Sequence, residues 1–395
     1  MTRHRHAPFG RRGPCGAVRF VLLGLVASGC MGGRGPLLPA LPPVAEAAAE
    51  DITWTLFLIG DAGEALPDDP VLSALTKLAA VAPDRSTIVF LGDNIYPAGM
   101  PDSSDATRAR AEFRMGEQLE VFRRSNARGF FIPGNHDWSF HEREGFIAIL
   151  RQAEFISANS NGLAELLPTD GCPGPAVRDV GDKFRLVFLD TQWFLHEHVK
   201  PDHPTSGCPA DTDAEVTAAL TSEIAGGNGR EVLVFGHHPL ASGGVHGGRS
   251  SLSDHLFPLR LARPWLWVPL PLVGSIYPIV RSSGVSRQDI ANPRNREMRA
   301  ALEAGMAAAR PLAYVAGHEH NLQVVQWETA RWLLVSGSGY FDHAGPTAWL
   351  ETTRFAAAAS GFMRIDALRS GQIRLAVIGL DRSRVAKEIF SMYLE

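Results

Sequence analysis

The sequence has no excess of basic charge and, beyond its N-terminal segment, no long unbroken apolar run. The formal net charge is −4, and the first 29 residues carry five arginines and no acid, so the remainder stands five charges lower, at −9. Proteins that bind nucleic acids carry basic surfaces, so no such partner is expected. Residues 264–280, an apolar stretch, hold four prolines and are too few for a membrane-spanning helix. No internal repeat is visible.

The N-terminal segment has the features of an export signal. Its arginines precede an apolar run from Phe20 to Val26, which small residues and Cys30 follow. This order of basic, apolar and small residues predicts a signal peptide over residues 1–30. The Ala-Ser-Gly-Cys sequence ending at Cys30 resembles a bacterial lipobox, in which Cys30 is lipidated. The alternative is ordinary cleavage near residues 47–49, which leaves a secreted protein.

The segment after Cys30 predicts how the exported chain is organised. Residues 31–52 are rich in proline, alanine and glycine, which is typical of a flexible tether. Residues 53–395 then form one domain. We expect a membrane-anchored lipoprotein that faces the periplasm or the cell surface.

Cysteines are few, and two of the four lie in the leader. Cys172 and Cys208 remain, and an even pair in an exported chain predicts a disulfide. Such a bond would contribute roughly 3–4 kcal/mol by restricting the unfolded chain. Two free buried thiols are the alternative.

Apolar strands alternate with helical stretches up to about residue 316, and the tail after that point is rich in strands. This order predicts an α/β protein with a four-layer α/β/β/α sandwich and two mixed sheets. The strands predicted before the tail are Trp54–Ile59, Thr87–Leu91, Gly129–Ile132, Phe184–Leu189, Glu231–Phe235 and Leu312–Ala316.

Five of the predicted strands end in a glycine followed by polar side chains. Taken singly, each motif also fits a turn, a helix cap or a structural histidine. Together, at the carboxyl ends of strands, they predict one site. Oxygen and imidazole donors without thiolates suit iron, manganese or zinc, and two such ions can orient a phosphoryl group. The residues are Asp61, Asp93, Tyr96, Asn135, His136, His237, His238, His318 and His320.

The order of these motifs resembles that of the calcineurin-like metallophosphoesterases. It runs Gly-Asp-x-Gly, Gly-Asp-Asn-x-Tyr, Gly-Asn-His-Asp, Gly-His-x-Pro and Gly-His-x-His, between Trp54 and Phe341. Tyr96, three residues after Asp93, makes the chain similar to the purple acid phosphatases, particularly the small tartrate-resistant kind. The insertion at about residues 247–290, the lipobox and the last fifty residues depart from that pattern.

The resemblance implies a role for each motif residue. Two metal ions are expected, Fe(3+) and a divalent iron, zinc or manganese ion, with Asp93 as the bridge. The implied ferric ligands are Asp61, Asp93, Tyr96 and His320, and those of the divalent ion are Asp93, Asn135, His237 and His318.

Further side chains are expected near the substrate. The resemblance implies that His136 and His246 contact the phosphate and that either protonates the leaving group. His246 also fits a mobile loop histidine. His238, Asn94 and His343 are candidate pocket residues, although no motif supports His343.

These expectations define an exported phosphatase that hydrolyses phosphomonoesters. A manganese- or zinc-dependent phosphodiesterase or nucleotide hydrolase is one alternative, and a non-catalytic surface binding protein on the same fold is another. The apolar insertion is expected to pack on the core. The alternative is that its 264–280 loop rests in the lipid interface beside Cys30.

Overall fold

The computed structural model describes residues 44–204, 206–249, 252–261, 266–271 and 273–395. The predicted signal peptide, Cys30 and residues 31–43 of the tether lie outside these residues, as do residues 264, 265 and 272 of the apolar loop. The described chain forms the predicted α/β/β/α sandwich, in which two mixed sheets face each other and helices cover their outer faces.

Each sheet contains seven strands. The fourteen strands of the described residues are β1 (Ile52–Ile59), β2 (Ser86–Phe90), β3 (Arg128–Phe131), β4 (Ala164–Leu166), β5 (Ala176–Val180), β6 (Phe184–Phe188), β7 (Glu231–Phe235), β8 (Ala313–Ala316), β9 (Leu322–Gln326), β10 (Trp332–Ser336), β11 (Thr353–Ala357), β12 (Gly361–Leu368), β13 (Ile373–Leu380) and β14 (Ala386–Tyr393). The first sheet has the order β14-β13-β12-β1-β2-β3-β4, and the second has the order β11-β9-β10-β8-β7-β6-β5.

Helices connect the parallel strands and shield the sheets from solvent. The first begins where Asp69 accepts a hydrogen bond from the Val71 amide at 2.8 Å, a typical N-cap. The helices are α1 (Pro70–Ala79), α2 (Arg108–Ser125), α3 (Gly145–Asn159), α4 (Thr191–Leu195), α5 (Asp213–Ala225), α6 (Leu252–Leu256), α7 (Ile276–Ser282) and α8 (Pro293–Ala307).

Alternate residues of the central strands explain why the two sheets face each other. In β1, Leu56 and Leu58 belong to the core between the sheets, whereas Phe57 and Ile59 pack toward the helices. All four side chains are buried. Both faces of the strand are therefore covered, which is why its sequence is a continuous apolar run.

The predicted motifs all follow the carboxyl ends of strands in the middle of the two sheets. Asp61 follows β1, Asp93 follows β2, Asn135 follows β3, His237 follows β7 and His318 follows β8. The sandwich therefore brings side chains from both sheets to one edge.

Val44 and Ala45, at the start of the described chain and inside the predicted tether, contact the first sheet. The guanidinium of Arg374, which is fully buried, donates to Ala45 O at 3.0 Å and to Val44 O at 3.1 Å. Ser391 Oγ donates to Val44 O at 3.0 Å. These bonds hold Val44 and Ala45 against β13 and β14.

Residues 247–290 form an insertion that contains α6 and α7. The expectation that its apolar stretch packs on the core is wrong for most of the described side chains. Trp267 and Ile276 are each 58% exposed, and Val273 is 64% exposed. The prolines limit the segment to short helices, which offer no continuous face to the core. None of the described helices combines the length and apolarity that crossing a membrane requires.

Candidate metal centre

Four of the predicted ligands, carried by three loops, lie close together: Asp61, Asp93, Tyr96 and His320. Tyr96 Oη lies 3.2 Å from Asp61 Oδ1, 3.3 Å from Asp93 Oδ2 and 3.1 Å from His320 Nε2. His320 Nε2 lies 3.5 Å from Asp61 Oδ1. These four donor atoms, from two carboxylates, a phenol and an imidazole, form the first donor group.

A second donor group lies on the other oxygen of Asp93. Asn135 Oδ1 lies 3.0 Å from His237 Nε2 and 2.9 Å from His318 Nδ1, and these two nitrogens are 3.2 Å apart. His237 Nε2 lies 3.5 Å from Asp93 Oδ1. Asp93 therefore offers Oδ2 to the first group and Oδ1 to the second.

The spacing of both groups fits two metal ions. Ligand atoms about 2.1 Å from one ion and at right angles to each other lie about 3 Å apart. The shortest separations within the two groups, 2.9 Å and 3.1 Å, agree with this value. Carboxylate, amide, phenol and imidazole donors suit iron, zinc or manganese.

Backbone hydrogen bonds orient the ligands. His237 Nδ1 lies 2.8 Å from Leu91 O, and donation there leaves the lone pair of Nε2 for a metal. The His136 amide donates to Asp93 Oδ1 at 2.8 Å, and the His318 amide donates to Asp61 Oδ2 at 2.8 Å. The loops thus fix the carboxylates before any ion binds.

The protonation of two ligands follows from their surroundings. Burial alone raises the pKa of Asp93, but His237 and His136 outweigh it and hold that pKa below its usual range. Burial raises the pKa of Tyr96, and the carboxylates of Asp61 and Asp93 raise it further. The phenol therefore keeps its proton unless a cation displaces it.

His136 lies at the open side of the first donor group. Its Nδ1 lies 2.6 Å from Pro97 O, and its Nε2 lies 3.9 Å from Asp93 Oδ2. The ring stacks on Phe140 with centroids 4.5 Å apart, and the side chain is 20% exposed. These contacts fix the ring while leaving it accessible to a ligand.

His246 lies against the second donor group. Its ring centroid is 3.9 Å from that of His318, and Arg281 Nη2 lies 2.6 Å from His246 Nδ1. Burial lowers the pKa of His246, and the positive charge of Arg281 lowers it further. His246 is therefore packed against a side chain of the second donor group.

Two of the three candidate pocket residues lie beside the donor atoms: the ring centroid of His343 is 3.8 Å from that of His320, and the ring centroid of His238 is 4.5 Å from that of His318. Asn94 is fully buried, and its Nδ2 donates to Ile132 O at 2.9 Å. His238 is also buried, and its ring nitrogens contact Thr191 Oγ1 at 2.8 Å and Gln288 Oε1 at 2.5 Å. Both ring nitrogens of His238 are therefore already hydrogen-bonded to protein side chains.

Two buried acids that organise the loops, Asp137 and Glu319, were not predicted. Asp137 accepts hydrogen bonds from Gly134 N at 2.8 Å, Asn94 N at 3.0 Å and Ile95 N at 3.1 Å, and so joins the loops after β2 and β3. Its position at the end of the Gly-Asn-His-Asp motif was the available signal.

Glu319, between His318 and His320, holds the loop that carries His246. Its Oε1 accepts from the Gly247 amide at 3.1 Å, and burial raises the pKa of Glu319 to about 7. A side chain at Gly244 would overlap the Glu319 carboxylate. The glycine is therefore needed for the close approach of this loop to the site.

The two cysteines outside the predicted signal peptide are joined. Cys172 and Cys208 form a disulfide with their Cα atoms 5.6 Å apart. The bond links the segment before β5 to the segment before α5. The structure thus contains the predicted disulfide and not two free thiols.

The solved structures similar to this chain include a plant enzyme and a parasite membrane anchor. PPD1, a purple acid phosphatase from yellow lupin (Lupinus luteus) seeds, matches at a TM-score of 0.51 and 12% identity, over 86% of this chain and 53% of that chain. This chain thus spans about half the length of the lupin enzyme. GAP50, the anchor in the inner membrane complex of Plasmodium, matches at a TM-score of 0.48 and 15% identity, over 87% of this chain and 89% of that chain. The likeness to the lupin enzyme supports the sandwich fold.

Sequence comparison gives the family. No curated protein sequence matches the chain. The family model of the calcineurin-like phosphoesterases matches residues 55–264, which is more than half of the chain. The matched region contains the first four motifs and ends inside the insertion. The chain belongs to the calcineurin-like phosphoesterase family.

Proposed function

We propose that this protein is an exported phosphatase that hydrolyses phosphomonoesters at a dinuclear centre of Fe(3+) and a divalent iron, zinc or manganese ion. One observation carries the proposal: Asp93 offers a separate oxygen to each of two donor groups. The remaining ligands are Asp61, Tyr96 and His320 in the first group and Asn135, His237 and His318 in the second.

Two histidines of the chain act on the substrate beside the ions. The chemistry that the ions supply when bound is charge neutralisation on the phosphoryl group and a lower pKa for the attacking water. His136 Nδ1 is occupied by Pro97 O, so its Nε2 is the nitrogen that reaches the phosphate or donates a proton to the leaving oxygen. His246 contacts the phosphate from the side of His318.

Activity assays test the reaction. We expect the metal-loaded protein to hydrolyse p-nitrophenyl phosphate faster than bis(p-nitrophenyl) phosphate and expect Asp93→Ala to abolish both reactions. Faster diester turnover would favour a phosphodiesterase or nucleotide hydrolase. A wild type that holds two ions but hydrolyses neither ester would favour a non-catalytic binding protein.

Visible absorption tests for iron. A ferric ion bound by the Tyr96 phenolate is expected to give a broad violet band that Tyr96→Phe removes. Tyr314→Phe is the matched control, because this buried tyrosine donates to His238 O at 2.8 Å and lies outside both donor groups. A colourless protein that holds two manganese or zinc ions would refute the iron assignment.

We propose that the protein is exported and anchored through Cys30. The disulfide between Cys172 and Cys208 supports export, because such bonds persist in oxidising compartments. Mass spectrometry of the mature N-terminus is expected to find a lipid on Cys30 and none in Cys30→Ser. A mature chain that begins near residue 50 without a lipid would refute the anchor.

The exposed side chains of the insertion support a second membrane contact. Trp267 and Tyr277 are 58% and 46% exposed, and Ile276 and Ile279 are 58% and 57% exposed. Aromatic and aliphatic side chains of this kind enter the lipid interface. In a Cys30→Ser background, replacing Ile276 and Ile279 by serine is expected to reduce liposome binding. Equal binding would refute the contact.

A further inference from the structure

The end of the insertion is fixed to the histidines of the candidate metal centre. The carbonyl oxygen of Gln288 lies 3.2 Å from His318 Nε2, and its side-chain Oε1 lies 2.5 Å from His238 Nε2. Gln288 Nε2 donates to Gln192 Oε1 at 3.0 Å, and the whole residue is buried. The insertion therefore takes part in the site instead of lying apart from it.

This anchored segment places a guanidinium beside the second donor group. Arg281 lies in the last turn of α7. Its Nη2 is 2.6 Å from Nδ1 and 3.0 Å from Nε2 of His246, whose ring packs at a tilt against that of His318, with centroids 3.9 Å apart. A guanidinium carries five N–H donors. The contacts of the guanidinium with His246 and Asp289 both run through Nη2, so Nη1 is the nitrogen that remains for a ligand.

A buried acid holds the guanidinium in place. Asp289 is fully buried, and its Oδ1 lies 2.9 Å from Arg281 Nη2 and 3.4 Å from His246 Nδ1. A buried carboxylate needs a charged partner, because losing it leaves an uncompensated charge. The Arg281 side chain is itself only 17% exposed. Asp289 thus fixes the position of the guanidinium, which is not a flexible surface side chain.

We propose that Arg281 binds the phosphate group of the substrate and makes the site selective for phosphomonoesters over diesters. The inference rests on the proposed function and deepens it. A monoester phosphate has three unsubstituted oxygens and up to two negative charges, whereas a diester has two such oxygens and one charge. Because charge-assisted hydrogen bonds to a guanidinium strengthen with charge and with bidentate geometry, Arg281 favours the monoester.

Orthophosphate binding tests the inference separately from turnover. Isothermal titration of the metal-loaded full chain is expected to show about 10- to 100-fold weaker orthophosphate binding in Arg281→Met, because a hydrogen bond between charged groups is lost. Arg281→Lys retains the charge but not the fork, so its loss is expected to be smaller.

A second arginine in the same segment supplies the control. Arg287 pairs with Glu197 and donates through Nη1 to Leu195 O, so its guanidinium faces away from the donor groups. Arg287→Met is expected to bind orthophosphate like the wild type. Metal content and circular dichroism of all variants show whether each retains the centre and the fold.

Kinetics with the two nitrophenyl esters test selectivity. Arg281→Met is expected to raise KM for the monoester more than for the diester and so to lower the ratio of their kcat/KM values. Equal orthophosphate affinity in Arg281→Met and wild type would overturn the inference, as would no orthophosphate binding by the wild type or faster turnover by Arg281→Met. If the wild type binds orthophosphate through Arg281 but hydrolyses neither ester, the proposed function fails while the anion-binding role stands.

Discussion

Removal of Asp137 tests whether the loops after β2 and β3 are built around a buried acid that binds no metal. Its carboxylate accepts from Gly134 N, Ile95 N and both the amide and the side-chain Nδ2 of Asn94. Each net hydrogen bond contributes about 1 kcal/mol. Burial raises the pKa of Asp137, so the cost of holding the carboxylate offsets part of this sum. We expect Asp137→Ala to lower the free energy of unfolding by about 2–4 kcal/mol.

The same substitution should weaken metal binding, because the two loops that it releases carry Asp93 and Asn135. Outer-shell changes of this kind cost about 10- to 100-fold in metal affinity. Chelator competition measures the affinity, and urea unfolding of the metal-free protein measures the stability. Asp69→Ala is the matched control, since Asp69 also accepts from backbone amides but caps α1. Equal metal affinities in the two variants, or a loss of stability below about 1 kcal/mol in Asp137→Ala, would refute this reasoning.

Three further predictions concern stability. The first concerns two glycines. Gly63→Ala should destabilise the protein by about 1–3 kcal/mol, since a Cβ there would lie 2.6 Å from backbone atoms of the loop after β2. Gly116→Ala in α2, where nothing lies within 4 Å, should stabilise it by about 0.5–1 kcal/mol, and urea midpoints equal to that of the wild type would contradict both expectations. Replacing Cys172 and Cys208 by serine should cost roughly 3–4 kcal/mol through the loop that the bond closes, and an unchanged thermal midpoint would exclude this. Burial raises the pKa of Asp190 to about 7, so the folded protein holds a proton that the unfolded chain has released, and stability falls by up to about 4 kcal/mol as pH rises from about 4 to 7. Asp190→Asn should flatten that dependence, and parallel curves for variant and wild type would count against it.

The metal-binding edge could be predicted because its signal is local. Each ligand follows a strand that reads as an apolar run, and carboxyl ends of neighbouring parallel strands meet at one edge of a sheet. Asp61, Asp93 and Asn135 follow three adjacent strands of the first sheet, and His237 and His318 follow two adjacent strands of the second. Their spacing along the chain was therefore enough to predict their convergence.

The contribution of the insertion could not be predicted in this way. Arg281, Gln288 and Asp289 reach the site because a proline-broken segment folds back on it, and no periodicity in the sequence encodes that path. The exposure of Trp267 could not be predicted either, because apolar composition alone predicts that such a side chain is buried.

One missed element did have a sequence signal. The helix α5 begins at a capping box, in which Thr212 Oγ1 accepts from Glu215 N at 3.3 Å and donates to Glu215 Oε2 at 3.0 Å. A threonine followed three residues later by glutamate is a recognised helix start.

The strand β14 was missed for a different reason. It carries charged, exposed residues such as Lys387 and Glu388, which is typical of an edge strand and weakens its apolar pattern.

Metal analysis of the purified wild type and Asp93→Ala tests the central claim most directly, because Asp93 is the residue shared by both donor groups. After loading with iron, zinc or manganese and removal of excess metal, the account predicts two ions per wild-type chain and fewer than one ion per Asp93→Ala chain. Two ions retained by Asp93→Ala, or at most one ion bound by the wild type, would contradict a dinuclear centre bridged by this carboxylate.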